Sequence, residues 1–226
     1  MTRAPTRTHF HSSTLIRILS DLTLLESVEP GVAFAEKLGE WLSLHDAIAL
    51  RAVHTTSPPV RQPNAASATL RADAERTRTA LLKSIRASSP PPDASHFDGA
   101  RRTYVAHQRE MELAIRALRV NARAALAAAS PAMAKLAALD GVLDGILSDR
   151  ESKLLAKIPS LLEKRFQQLR QTHPKPDLPA PAIRPGGWPA RFWQELQAVL
   201  QAELDMRLQP ALGLIEALTH PMDPPP

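Results

Sequence analysis

Residues 95–131 read SHFDGARRTYVAHQREMELAIRALRVNARAALAAASP, and this stretch decides the fold. Tyr104, Gln108, Met111, Ile115, Leu118, Ala122 and Ala125 alternate at spacings of four and three, the seam of one helix lying on another. A second stripe, Ala106, Leu113, Val120 and Ala127, lies on a different face. A helix apolar on two faces is expected to be central, with neighbours on both sides. Ser95-His96-Phe97-Asp98 supplies a capping-box start. Ser130-Pro131 is a stop-and-restart signal, with serine as cap and proline in the first turn of the next helix. About thirty helical residues span roughly 45 Å, which predicts an extended shape or an oligomer.

Outward from there, the next helix runs from Pro131 to about Gln171 on a leucine-rich stripe that includes Leu136, Leu143, Leu147, Leu154 and Leu162. Pro159 falls inside it. A proline in a helix interior costs about 3 kcal/mol and kinks the helix, and Ser160 with Glu163 makes a break and restart equally acceptable. The expected organisation is a disordered leader over 1–13, a helical hairpin over 14–54, and Pro-rich linkers flanking a weak helix over 55–93. A long central hairpin over 94–171, a Pro-rich linker over 172–188, a helix over 189–218 and a disordered tail over 219–226 complete it. Within the first hairpin, Leu15, Ile18, Leu19, Leu22 and Leu25 form one stripe, and Phe34, Leu38, Trp41, Leu42 and Ile48 the other. The weak helix, Ala66 to Ala87, turns only Leu70, Ala74, Thr77, Leu81 and Ile85 inward. The last helix carries Leu196, Val199, Leu200, Leu204 and Leu208, and Pro210 is expected to bend it. The fold class is all-α: an elongated bundle of about six helices built on a long antiparallel hairpin, with Pro-rich linkers.

Composition agrees. Only 4 % of residues are aromatic while Ala and Leu dominate the apolar set, which favours helix over strand. The 21 prolines cluster between the periodic segments and punctuate them. With no cysteine, disulfides and thiolate metal or redox chemistry are excluded. No stretch approaches the roughly 18–20 apolar residues of a membrane span, so membrane insertion is not expected. The +5 net charge is spread thinly over the N-terminal half, without a polybasic run, and nucleic-acid binders carry a denser footprint. No phosphate-binding loop, dinucleotide fingerprint, nucleophile elbow or HExxH helix occurs. No catalytic residue, cofactor or metal is therefore expected.

Three features remain as candidates for binding. Arg102, Arg109, Arg116 and Arg123 recur every seven residues along one helix face, with Arg119 beside the upper end. They could form a rail for an acidic partner or a phosphate backbone. The competing reading is structural: with the turn at Ser130, Arg116 falls beside Asp144, Arg119 near Asp140 and Arg109 near Glu151, and Glu112 reaches Arg116 along the helix. Ion pairs across the hairpin would then absorb much of the ladder. Trp188, Phe192 and Trp193 hold three of nine aromatics, read first as core and second as interface anchors. Gly141 and Gly145 have the spacing that permits close helix approach, although Asp140 and Asp144 exclude a membrane setting. Among the histidines, His9 and His11 lack metal-ligating company, and His45 and His107 read as hydrogen-bonded core residues.

Four runs carry a family resemblance: TRAPTRTHFHSSTLIRILSDL from Thr2, YVAHQREMELAIRALR from Tyr104, SPAMAKLAALDGVLDGILSDRESKLL from Ser130 and LQAVLQAELDMRLQPALGLIEAL from Leu196. Across nearly the whole chain these resemble an uncharacterised proteobacterial family of unknown function. The resemblance implies gene neighbours: an OmpA/MotB-type peptidoglycan-binding protein and a membrane protein with a long helical tail, which look like an ion-driven, motor-like envelope complex. The family has no established catalytic residues, so no role is carried over. The expectation is a non-enzymatic cytoplasmic adaptor or scaffold for helical protein partners, which could be those neighbours, with a homo-oligomer left open. The alternative is a nucleic-acid-binding protein, conceivably in defence, that uses the arginine ladder.

Overall fold

A computed structural model describes residues 13–22, 42–55, 66–91, 96–172 and 187–219. The leader, the segment with Phe34 and Leu38, most of the three Pro-rich stretches and the tail from His220 lie outside these. Seven helices occur among the described residues: α1 (Thr14–Asp21), α2 (Leu44–Thr55), α3 (Ala66–Ala87), α4 (Asp98–Ala129), α5 (Pro131–Leu155), α6 (Ile158–Thr172) and α7 (Trp188–Thr219). No strand is present among them, and the protein is an all-α helical bundle.

α4 and α7, each of 32 residues, form the centre, and α4 packs as extensively on α7 as on α5. The seam read from the sequence is the inner face of α4: Tyr104, Met111, Ile115, Leu118 and Ala122 are buried and Gln108 and Ala125 half-buried, while Leu126, outside that reading, is the buried residue at its end. The buried ones meet Leu196, Val199, Leu200, Leu204 and Leu208 of α7 in one continuous apolar core. Ser130 caps α5 as its position suggests, its hydroxyl accepting from the Met133 amide at 3.2 Å, with Pro131 in the first turn.

The chain breaks between Leu155 and Ile158 and restarts with Pro159 in the first turn of α6, where a missing N–H costs nothing. The restart thus precedes Ser160, which does not act as the cap: its amide donates to the Lys157 carbonyl at 3.1 Å.

α3 is a wall of the bundle, not a weak appendage. Leu70, Ala74, Leu81 and Ile85 are buried against α4 and α7, and a thin apolar face suffices because its end is tied down. The Trp193 indole N–H donates to the Ser88 carbonyl at 3.0 Å, and the Gln197 amide donates to the Ile85 and Ser88 carbonyls. Those are orphan carbonyls of a helix C-terminus, which must find donors. Arg78 pairs with Asp205 of α7 at 3.0 Å.

α1 lies on α7 through Leu15 and Leu19, and α2 lies on α5. The described part of the expected N-terminal hairpin therefore rests on two different helices. His45 is exposed on α2, contrary to its reading as a core histidine. The apolar stripe containing Ile48, itself 60 % exposed, is not turned inward there.

α6 packs on α4 and α7. Arg165 makes a two-pronged bond to Glu195, at 2.8 Å on each side, and Arg191 adds a third at 3.0 Å. Burial alone would raise the Glu195 carboxyl, but the bonds from Arg165 and Arg191 outweigh it and hold it below 4.5. A depressed folded value means this contribution is present above about 4.5 and lost as pH falls through the lower value. Glu195→Gln is expected to lower stability at neutral pH and to flatten its decline in acid, as read by urea melts from pH 7 to about 3.

Candidate partner-binding surface

On α4 the residues seven apart divide between two fates. Ala106, Leu113, Val120 and Ala127 lie opposite the buried seam, and all four are exposed, Leu113 at 70 % and Val120 at 48 %. Glu110, Ala117 and Ala124, also exposed, interleave with them at the alternating spacing of a coiled-coil seam. The expectation that both faces of this helix are covered thus fails among the described residues: one face fills the core, the other meets water.

The arginine ladder splits in the same way. Arg119 donates to Asp140 at 2.9 and 2.6 Å and to Asp144 at 2.7 Å, while Arg123 reaches both carboxylates at 3.3 and 3.0 Å. Burial opposes the Arg119 charge, but its bond to Asp140 and the charges of Asp140 and Asp144 hold the guanidinium more firmly than usual. Arg119 meets Asp140 as the register counted from Ser130 has it, but Asp144 meets Arg119 and Arg123 instead of Arg116. Arg116 is therefore left to Glu112 on its own helix, at 3.0 Å. Arg102 and Arg109 are exposed and form no ion pair with a described residue.

A groove of about 430 Å³ runs beside the exposed stripe on its basic edge. Glu112, Arg116, Val120 and Arg123 of α4 form one wall, Gly141, Asp144, Gly145, Ser148, Glu151 and Ser152 of α5 the other, and Arg207 and Pro210 of α7 close one end. A β-carbon at Gly141 or Gly145 would meet nothing within 4 Å, so no helix among the described residues packs closely on this glycine pair. Gly141→Ala and Gly145→Ala are each expected to stabilise the fold by about 0.5–1 kcal/mol in urea melts, since helix propensity rises without a clash.

The aromatic candidates lie elsewhere. Phe192 and Trp193 are buried, and Trp188 is half-buried with its ring 5.1 Å from Phe166. Phe97, Phe166 and Phe192 complete an edge-packed cluster at the α4–α6–α7 junction. These residues build the core and do not present a docking surface.

Glu203 has no part in the sequence reading, yet it is 0 % exposed in the middle of the bundle. Its carboxylate accepts from the Tyr104 hydroxyl at 2.6 Å, from the Gln108 amide at 3.0 and 3.1 Å, and from Arg207 at 2.8 Å. The signal was available: Tyr104 and Gln108 stand in the apolar seam of one helix and Glu203 in that of another. Polar groups on inward faces must satisfy one another. Among the described residues no buried side-chain nitrogen or oxygen lacks a partner. Burial first, then the Glu203 charge, pushes the Tyr104 hydroxyl well above 10. With a raised folded value, stability is unaffected below about 10 and declines above it, where the unfolded chain releases its proton first. Tyr104 is the sole tyrosine, so phenolate absorbance in an alkaline titration is expected to rise only as the helices melt.

His107 is buried with Nδ1 3.3 Å from Glu110, which also accepts from the Ser84 hydroxyl at 3.0 Å. His9 and His11 lie outside the described residues. Among the described residues no group of three or more His, Cys, Asp or Glu could hold a metal ion, and no helix is long and apolar enough to cross a membrane.

No curated protein and no solved structure matches the chain. The family model described as "Protein of unknown function (DUF3348)" matches residues 1–220, and the chain belongs to that family.

Proposed function

We propose that the protein is a non-enzymatic adaptor or scaffold that binds a helical protein partner along α4. The observation that carries this is the stripe Ala106–Leu113–Val120–Ala127, directly opposite the buried seam and left uncovered by the described residues. Coiled-coil spacing has no use on a solvated face, where isolated polar residues would serve solubility better. The stripe is about 32 Å long, and a single helix laid along it is the simplest cover.

A cytoplasmic location beside an ion-driven envelope complex fits this reading. The support is the gene neighbourhood that the family resemblance implies, with the long-tailed membrane protein or the OmpA/MotB-type protein as the first partners to test. The nucleic-acid reading loses much of its support, because Asp140 and Asp144 neutralise the upper part of the ladder. Co-purification with the products of adjacent genes is the test. Wild-type protein is expected to retain a partner that Leu113→Lys with Val120→Lys releases, while the variant's melting curve stays within about 0.5 kcal/mol of wild type because both sites are exposed. Failure of wild type to retain any neighbour would contradict the proposal.

A further inference from the structure

We infer that the occupant of the α4 stripe is a heterologous amphipathic helix with a carboxylate-rich edge, not a second copy of this chain; this rests on the adaptor reading above. Arg102, Arg109 and Arg116 follow the stripe on the side facing the groove, all three exposed, with Arg116 already bonded to Glu112 and Arg102 and Arg109 in no ion pair with a described residue. The opposite edge carries His107, Ala114 and Asn121 and no acid, and Glu110, which lies within the stripe, is engaged by Ser84 and His107.

Edge charges select the partner and orientation of paired helices. In an antiparallel pair of copies, the arginine edge would face its own equivalent, and like charges so placed repel. In a parallel pair it would face an edge that carries no acid. Neither arrangement of two copies supplies the carboxylates these arginines call for. A partner with Glu or Asp at heptad spacing supplies them in either direction.

The groove tells where that acidic edge lies. Gly141, Gly145, Ser148 and Ser152 put small side chains at spacings of four, three and four on the far wall, with open space above the two glycines. A helix on the stripe can therefore lean toward α5 with its backbone close to the glycines, its carboxylates meeting Arg102 and Arg109 and staying clear of the Glu112, Asp144 and Glu151 that line the groove.

The test uses the full chain and two synthetic amphipathic peptides of about four heptads, identical in their Leu and Ala seam but with Glu or Lys at the edge positions. Fluorescence anisotropy is expected to show binding of the Glu peptide, weakening steeply between about 50 and 300 mM salt, and binding of the Lys peptide roughly tenfold or more weaker. Arg102→Glu with Arg109→Glu should reverse the preference, and Gly145→Leu should weaken the Glu peptide without lowering the melting temperature. Equal binding of both peptides, lost in Leu113→Lys, would overturn the acidic partner and leave the docking stripe standing. A dimer in sedimentation that Leu113→Lys dissociates, with no peptide bound, would overturn it in favour of a second copy. A monomer that binds neither peptide would overturn the inference and the adaptor reading together. An unchanged Glu-peptide affinity in Gly145→Leu would overturn the lean toward α5.

Discussion

Glu203→Ala is expected to destabilise the bundle by on the order of 3–5 kcal/mol, because it removes one side of a buried ion pair and leaves the other without compensation. Arg207, Tyr104 and Gln108 all aim polar atoms at that carboxylate from within the core. For a chain of this size, such a loss corresponds to a melting temperature lower by roughly 10 °C or more. The conservative variants should rank below it. Glu203→Gln keeps the volume and part of the bonding. Tyr104→Phe removes one hydroxyl, about 1–2 kcal/mol. Thermal melts of the three variants give the order directly, and a neutral Glu203→Ala would mean that water replaces the carboxylate at no cost. The same cluster fixes register: Gln108 bonds both to Glu203 and to the Leu155 carbonyl, so it locks α4 to α7 and to the end of α5 at one point.

Trp193→Ala should be comparably severe, about 3–5 kcal/mol from lost packing alone. Trp193 is 6 % exposed, and its indole N–H also ties off the Ser88 carbonyl just past the end of α3. Trp193→Phe keeps most of the apolar volume and loses that bond, so it should cost about 1–2 kcal/mol. The damage should also be local. Amide exchange is expected to accelerate first in residues 81–87, the end of α3 that Trp193 and Gln197 hold, before α4 responds. Uniform acceleration across the bundle would show that α3 has no separate opening step.

Much of the fold could be read from particular residues. Ser130-Pro131 marks the turn between α4 and α5 because cap and first-turn preferences are local chemistry, independent of what packs above them. The inner seam of α4 was likewise legible, since seven apolar or amphipathic positions at one periodicity leave little choice of face. What the sequence left open depends on register between helices. A shift along the hairpin moves Asp144 from Arg116 to Arg119 and Arg123, and no single-helix pattern records such a shift. The thin apolar face of α3 understates its place in the bundle, because its end is secured by Trp193 and Gln197, more than a hundred residues later in the chain. Glu203 was passed over for the same reason, since its partners stand on α4.

The candidate surface was half legible. Ala106, Leu113, Val120 and Ala127 stand out as a second stripe, but periodicity cannot say whether a stripe is covered by its own chain. α3 and α5 flank α4 and leave this stripe open between them. The aromatics at the start of α7, by contrast, are absorbed into the core. A surface reading that began with arginines and aromatics therefore becomes an apolar one, edged by the arginines that the hairpin does not consume.

The most direct measurement places a photocross-linking amino acid at position 113 of the full chain, in its native cell, with position 111 as the buried control. The account predicts a cross-link from position 113 to one segment of a second protein, with apolar residues at heptad spacing and an acidic edge, and none from position 111. Cross-links from position 113 only to this chain itself, or to no protein at all, would contradict it.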